Sequence, residues 1–132
     1  MRRRTFFKTM LGVLVGVHSL RAVSAQAVPA ERRVLIQRSP VAGFQYYEGP
    51  RLRGYFKPDQ PLTLQREAQN SHDRRAVAVY WQGRKVGYVP RRENRVISAM
   101  MDRGERLEAK IVGLGSGDSP WQAVMFDVEV VV

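Results

Sequence analysis

The sequence predicts a mainly β protein, a small β-barrel of about six strands with one helix. Short runs of β-branched and aromatic residues recur along the chain, and glycine and proline separate them as in tight turns. A single stretch, residues 91–105, has the apolar spacing of an amphipathic helix. We expect a leader over residues 1–27, an N-terminal segment with the first strand over residues 28–39, and the barrel domain over residues 40–132.

The first 27 residues are predicted to be an export signal peptide. Basic residues are followed by the apolar stretch Met10–Val17 and then by Ala25-Gln26-Ala27, an A-x-A cleavage pattern. The apolar stretch is short of the ~20 residues that span a bilayer. Arg3-Arg4 ahead of Phe6-Phe7 resembles a twin-arginine signal. We therefore expect an exported protein, periplasmic or secreted, with an N-terminal anchor in the inner membrane as the alternative.

The first half of the exported part contains three predicted strands. Val34–Ile36 is a compact apolar run, and Val41–Tyr47 is a second run that Gly49-Pro50 ends. Leu62–Arg66 alternates apolar with polar side chains, which is the period of a half-buried strand.

A hairpin and a helix are predicted next. Ala76–Trp81 and Arg84–Val89 read as two strands joined by a two-residue turn, and Pro90 ends the second strand. In the helix that follows, Gly104 is placed to form the C-terminal cap. Four apolar residues are expected on one buried face of that helix: Val96, Ile97, Met100 and Met101.

The last predicted elements are two strands around a loop. The run Leu107–Ile111 is followed by the glycine-rich segment 113–120, for which we expect a flexible loop. Residues 123–132 then supply a long closing strand.

Composition limits the function. The chain has no cysteine, which excludes disulfides, thiolate metal sites and thiol nucleophiles. The net charge is +10, and beyond residue 27 the chain still carries 17 basic against 12 acidic residues. A basic small domain suits a polyanionic partner, although solubility alone also explains the excess.

Ser71, His72 and Asp73 form the most conspicuous polar cluster, and they invite a catalytic interpretation. A serine triad needs its three side chains to converge from separate segments, which consecutive residues do not readily achieve. The sequence has no GxSxG elbow and no GxxxxGK[ST] phosphate loop. One histidine outside the predicted leader, without cysteine, leaves too few ligands for zinc. We therefore predict a turn without catalytic, metal or cofactor chemistry.

Three sequence motifs, which occur in a fixed order along the chain, favour a binding role for this turn. They are Gly43–Tyr47 with its paired tyrosines, Leu64–Val79 around the turn, and the Gly-Tyr-x-Pro of Gly87–Pro90. Together they resemble the HIRAN domain over about residues 40–111. The resemblance implies a modified OB-like barrel, which agrees with the strand count above. It also implies a module that holds the 3′ end of single-stranded DNA.

The resemblance implies a role for each of a few side chains. Tyr46 would stack on a terminal base, and Asp73 would accept a hydrogen bond from the free 3′-hydroxyl. Tyr88 and Arg91 would face the phosphate. The expected nucleic-acid site is Tyr46, His72, Asp73, Tyr88, Arg91 and Arg92.

The sequence departs from the family pattern near that site. His72 stands where the DNA-binding members have tyrosine, and Gln45 where they have arginine. Export is also unexpected for a reader of DNA ends. We therefore expect a non-enzymatic module that binds single-stranded nucleic acid or another polyanion. The alternative is a cell-envelope scaffold or protein-interaction domain that kept only the barrel.

Overall fold

The computed structural model describes residues 30–115 and 123–132, together with Gly16. The predicted leader, apart from Gly16, and residues 116–120 of the predicted loop lie outside the described residues. Within the described ranges, no helix is long and apolar enough to cross a membrane.

Six antiparallel strands form one sheet in the order β1-β6-β5-β2-β3-β4, which confirms the mainly β prediction. The strands are β1 Arg33–Pro40, β2 Pro61–Glu67, β3 Ala76–Trp81, β4 Arg84–Tyr88, β5 Leu107–Leu114 and β6 Val124–Val131. The helices are α1 Gly49–Leu52 and α2 Asn94–Asp102, and 3₁₀ turns lie at Phe44–Tyr46, Arg53–Tyr55 and Arg91–Glu93.

The sheet is consistent with an OB-like fold, but it does not close into a barrel. Strands β1 and β4 are its two edges. The chain leaving β1 reaches β4 through one isolated bridge, between Ala42 and Tyr88. The β2–β5 pairing is also short, with only the pairs Pro61↔Lys110 and Leu62↔Ala109. Residue patterning predicted the strands, whereas closure depends on long-range pairing that a local pattern does not encode.

The core lies on the inner face of the curved sheet. Phe44, Ile97, Ile111 and Phe126 are fully buried there. Phe56 packs edge-on against Trp81, with ring centroids 5.1 Å apart, and contacts the Phe44 ring at 6.0 Å. Aromatic pairs at these separations add about 0.5–1.5 kcal/mol each beyond the area they bury.

The predicted hairpin is confirmed. Gln82 and Gly83 both have positive φ, 46° and 78°, as a two-residue type I′ turn requires. Positive φ suits glycine well, because it has no Cβ.

Helix α2 confirms the predicted helix and its glycine cap. Gly104 has φ 77° and donates to the carbonyl of Met101, while Glu105 donates to Met100, which is a Schellman motif. Ile97 is buried, but Val96 is 55% exposed, so its predicted place on the buried face is wrong. At about 100° per residue, Val96 lies roughly 200° around the helix from the buried Asn94.

The predicted strand Val41–Tyr47 is wrong beyond Ala42. Gly43 takes a left-handed φ of 70°, and a 3₁₀ turn follows. Phe44 is thereby drawn into the core and packs on Gly49, where a Cβ would lie 2.3 Å from the Phe44 ring. Helix α1, a second helix beyond the one predicted, begins there and has proline in its first turn. A single turn is too short to show a helical period.

Candidate nucleic-acid interface

A pocket of about 310 Å³ lies beside the end of β4. Five of the six predicted site residues line it: Tyr46, His72, Asp73, Tyr88 and Arg91. The remaining wall consists of Ala42, Gly43, Tyr47, Asn70, Ala76 and Val89. Arg92 is exposed in the turn after Arg91 and is not part of the lining.

The loop between β2 and β3 is built by Asn70. Its side-chain oxygen accepts the backbone N–H groups of His72, at 2.9 Å, and Asp73, at 3.3 Å. Its side-chain amide donates to Glu67 at 3.0 Å. These bonds are those of an Asx turn, which fixes the backbone without help from regular structure. His72 is exposed at the tip, and Asp73 is half-buried against the pocket.

Asp73 is held from two directions. One carboxylate oxygen accepts the backbone N–H of Arg75 at 2.9 Å, and the other accepts the side-chain amide of the buried Asn94 at 2.7 Å. Burial by itself raises the pKa of Asp73, but these bonds, with the charges of Arg91 and Arg75, outweigh it and leave that pKa below its ordinary value. The group is therefore a carboxylate near neutral pH.

Tyrosines form the opposite wall of the pocket. Tyr46 is 78% exposed on its 3₁₀ turn. The Tyr47 ring meets the Tyr88 ring edge-on, with centroids 5.7 Å apart. The ammonium group of Lys85 lies 5.1 Å from the Tyr47 ring centroid and 4.3 Å from that of Tyr88, within cation–π range. Tyr46 is thus free to take a ligand, whereas Tyr47 and Tyr88 are braced.

The Tyr88 hydroxyl has partners within the protein. It donates to Glu67 at 2.8 Å and is hydrogen-bonded to Lys85, which also donates to Glu67 at 3.2 Å. Burial opposes the charge of Glu67, but bonds from Tyr88, Asn70 and Lys85 lower its pKa below the ordinary value. Burial and the Glu67 charge raise the pKa of Tyr88. Its ring, rather than its hydroxyl, is therefore the part that can contact a ligand.

Gly87 joins the tyrosine wall to the sheet. Ala42 and Tyr88 exchange backbone hydrogen bonds of 2.8 and 2.9 Å. A Cβ on Gly87 would lie 2.3 Å from the carbonyl oxygen of Ala42, which no side chain tolerates. The absence of that Cβ lets the segment carrying Tyr46 approach β4 closely enough to form the pocket.

Five exposed arginines lie on the two segments that the Asp73–Asn94 contact joins, and we call them the arginine surface: Arg74, Arg75, Arg91, Arg92 and Arg95. Within the described residues, none of them takes part in an ion pair shorter than 4.0 Å. Most other described arginines do, including Arg38, which bonds Asp127 at 2.6 and 2.9 Å. Positive charge is therefore concentrated on the two segments that meet at the Asp73–Asn94 contact.

The arrangement does not form a catalytic triad. One oxygen of Asp73 accepts a hydrogen bond from Arg75 and the other accepts one from Asn94, and neither bonds to His72. Among the described residues, no group of three or more His, Asp or Glu side chains is placed to hold a metal. The geometry instead provides stacking surfaces, a carboxylate acceptor and cations around one cavity.

Sequence reasoning missed several contributors. Tyr47 directly follows Tyr46 in the chain, so the prediction of Tyr46 as a site residue could have pointed to it. Asn94 gives no local clue, since a buried asparagine at a helix start is indistinguishable in sequence from an exposed one. The same holds for Glu67 and Lys85, which meet only because β2, β3 and β4 are neighbours.

Fold and pocket together define a small β-sheet binding domain with an aromatic and cationic cavity. The profile of the HIRAN domain family matches residues 34–132, so the chain belongs to this family. HIRAN domains are generally DNA-binding modules without a catalytic centre of their own.

Two solved structures share the fold. A protein from Lactobacillus plantarum is 24% identical with a TM-score of 0.66, covering 76% of this chain and 97% of its own. The HIRAN domain of human HLTF is 21% identical with a TM-score of 0.54, covering 75% of this chain and 77% of its own. No curated protein matches the sequence.

Proposed function

We propose that this protein is a non-enzymatic module that binds single-stranded DNA and holds its 3′ end in the pocket. The observation that carries the proposal is the Asp73 carboxylate, which is fixed in the pocket that the exposed Tyr46 and Arg91 also line. Sites for single-stranded DNA combine stacking rings with cations, and a carboxylate can accept the hydrogen bond of a free 3′-hydroxyl.

Asp73 would read the end of the strand. Each of its oxygens accepts one bond from the protein, and a carboxylate oxygen has capacity for a further one. A free 3′-hydroxyl can therefore donate to Asp73 without displacing its present partners. A 3′-phosphate would place like charges together, which is unfavourable.

The remaining side chains would hold the base and phosphate. Tyr46 is exposed and can stack on the terminal base, with His72 presenting a second ring from the opposite loop. Arg91, with Arg92 beside it, would contact the phosphate. The ring of Tyr88 would close the floor, because its hydroxyl is bonded to Glu67.

Export remains part of the proposal. The leader predicts that the protein acts outside the cytoplasm, where its strand would be extracellular or incoming DNA. Binding of an envelope polyanion through the arginine surface is the related possibility, and the end preference measured below separates the two.

Fluorescence anisotropy with the chain of residues 1–132 tests the proposal. Single strands ending in a 3′-hydroxyl or a 3′-phosphate are compared with a blunt duplex. A hydrogen bond to a charged group contributes about 1.5–3 kcal/mol, so we expect the 3′-phosphate to weaken binding roughly 10- to 150-fold. Asp73→Asn, which removes the charge, and Asp73→Ala should abolish that preference. Glu105→Ala, at an exposed carboxylate, is the charge-matched control and should retain it.

Equal affinity for both 3′ ends in the unmodified protein would contradict end recognition. Binding with no end preference would leave only a basic surface, and a complete lack of binding would favour the protein-interaction alternative.

That alternative rests on a separate observation. Edge strand β1 exposes about half of Val34 and of Leu35. Val132, which follows the last residue of β6, is also exposed. Strand β1 is the opposite edge of the sheet from β4. A partner protein adding a strand there would leave the pocket untouched, so Leu35→Lys would impair protein capture and not DNA binding.

A further inference from the structure

We infer that the bound strand leaves the pocket over the arginine surface, so that the ligand is an oligonucleotide of several residues and not a mono- or dinucleotide. Three arginines that do not line the pocket, Arg74, Arg75 and Arg95, would carry the phosphates of that continuation. The inference rests on the proposed function and adds a binding surface to it.

The position of these arginines is fixed by the pocket itself. The Asn94 side chain, buried at the start of α2, donates to Asp73 at 2.7 Å and so fastens the helix start to the loop. Arg74 and Arg75 directly follow Asp73, and Arg95 directly follows Asn94. The backbone N–H of Arg75 donates to Asp73 at 2.9 Å, and Arg91 lines the same pocket as Asp73. Arg91 lines the pocket, and the other arginines lie on the two segments that the Asp73–Asn94 contact holds together.

Charge distribution distinguishes the arginine surface from the rest of the molecule. Arg33 and Arg106 share Glu108 and Glu31, and Arg66 pairs with Asp102 at 3.0 Å. Within the described part of the chain, the arginine surface has no such carboxylates within 4.0 Å. Like charges without partners destabilise the folded chain by mutual repulsion. A polyanion neutralises them, so the arrangement favours an occupied surface.

The cations along β4 are instead paired with carboxylates. Lys85 is bonded to Glu67 at 3.2 Å, and Arg84 and Arg51 both approach Glu48, at 3.5 and 3.8 Å. Carboxylates thus accompany the cations on that side and would repel a phosphate backbone. We therefore place the continuing strand over α2 and not along β4.

The test compares a dinucleotide with a decanucleotide, both with a free 3′-hydroxyl and both bound to the chain of residues 1–132 at several salt concentrations. The variant combines Arg74→Gln, Arg75→Gln and Arg95→Gln. Its control combines Arg32→Gln, Lys57→Gln and Arg103→Gln, which removes the same charge from exposed positions elsewhere. A lysine version, with Arg74→Lys, Arg75→Lys and Arg95→Lys, keeps the charge.

Each phosphate contact on a single strand contributes about 0.7 to the slope of log affinity against log salt. Loss of three contacts should lower the slope for the decanucleotide by about 2, and its affinity at 0.1 M salt on the order of 100-fold. Dinucleotide binding should weaken far less than decanucleotide binding, because only the Arg75 charge beside Asp73 touches the terminal pocket, and the lysine version should retain most of the affinity. Thermal unfolding of each variant checks that the exposed substitutions leave the fold intact.

Equal losses in the arginine variant and its control would overturn the inference, since net charge alone would then explain the effect. An equal loss for dinucleotide and decanucleotide would also overturn it, because the arginines would then belong to the terminal pocket. If the unmodified protein binds neither oligonucleotide, the proposed function itself fails.

Discussion

The fold and the pocket both depend on the absence of a Cβ atom at Gly87. In Gly87→Ala the new Cβ would lie 2.3 Å from the Ala42 carbonyl oxygen and 2.5 Å from a Val41 methyl, at a φ of +154°. The two segments must separate, which breaks the two backbone hydrogen bonds between Ala42 and Tyr88. These bonds contribute about 0.5–1.5 kcal/mol each, and overpacking costs typically 1–3 kcal/mol. We expect the free energy of unfolding to fall by about 2–6 kcal/mol.

Urea unfolding followed by fluorescence measures this loss, with Gly54→Ala as the matched control. A Cβ on Gly54 meets no heavy atom within 4 Å, so that substitution should change stability by less than about 0.5 kcal/mol. In the absence of urea, Gly87→Ala should also weaken DNA binding, because the segment that carries Tyr46 would move away from Asp73. Unfolding free energies for the two variants that agree within error would refute the close approach at Gly87.

Two further predictions concern a ligand-facing ring and an ion pair between an exposed arginine and a buried carboxylate. Tyr46→Ala should leave the unfolding free energy within about 0.5 kcal/mol, because the ring is 78% exposed. It should nevertheless weaken binding of single-stranded DNA about 5- to 150-fold, the value of one base–aromatic stack; unchanged affinity would remove Tyr46 from the site. The bidentate bond from Arg38 lowers the pKa of the buried Asp127 below its ordinary 3.8. That pair therefore stabilises the fold above about pH 4, and its contribution is lost as the pH falls through the lowered pKa. Asp127→Asn should flatten this acid limb of a stability–pH curve, and an unchanged limb would contradict the assignment.

Sequence predicts the hairpin and α2 well because their signals are local. The β3–β4 turn needs two residues with positive φ, and glycine at one of them identifies it. Helix α2 is delimited by Gly104, whose Schellman bonds involve only the preceding turn. In both cases the residues that determine the structure are neighbours in the chain.

The segment carrying Tyr46 shows where local prediction fails. Val41–Tyr47 has strand-like composition, yet the chain turns at Gly43 because burial of Phe44 against Gly49 is worth more than extension. A fully buried phenylalanine contributes about 1.5–3 kcal/mol, whereas strand propensities span only ~1 kcal/mol. The contact joins positions whose pairing no local period reveals, so the sequence predicted Tyr46 as a site residue from family resemblance and not from its conformation.

The site divides into residues that shape the pocket and residues that face the ligand. The side chains of Asn70 and Asn94 form hydrogen bonds within the protein, and these bonds hold the loop and Asp73 in place. Tyr46 and His72 are exposed and make no side-chain hydrogen bond to another described residue. Asp73 belongs to both groups, because it is held by the protein and retains capacity for a ligand. Substitutions at the asparagines should therefore lower stability and binding together, whereas substitutions at the exposed rings should lower binding alone. This difference lets paired stability and affinity measurements locate the ligand without a structure of the complex.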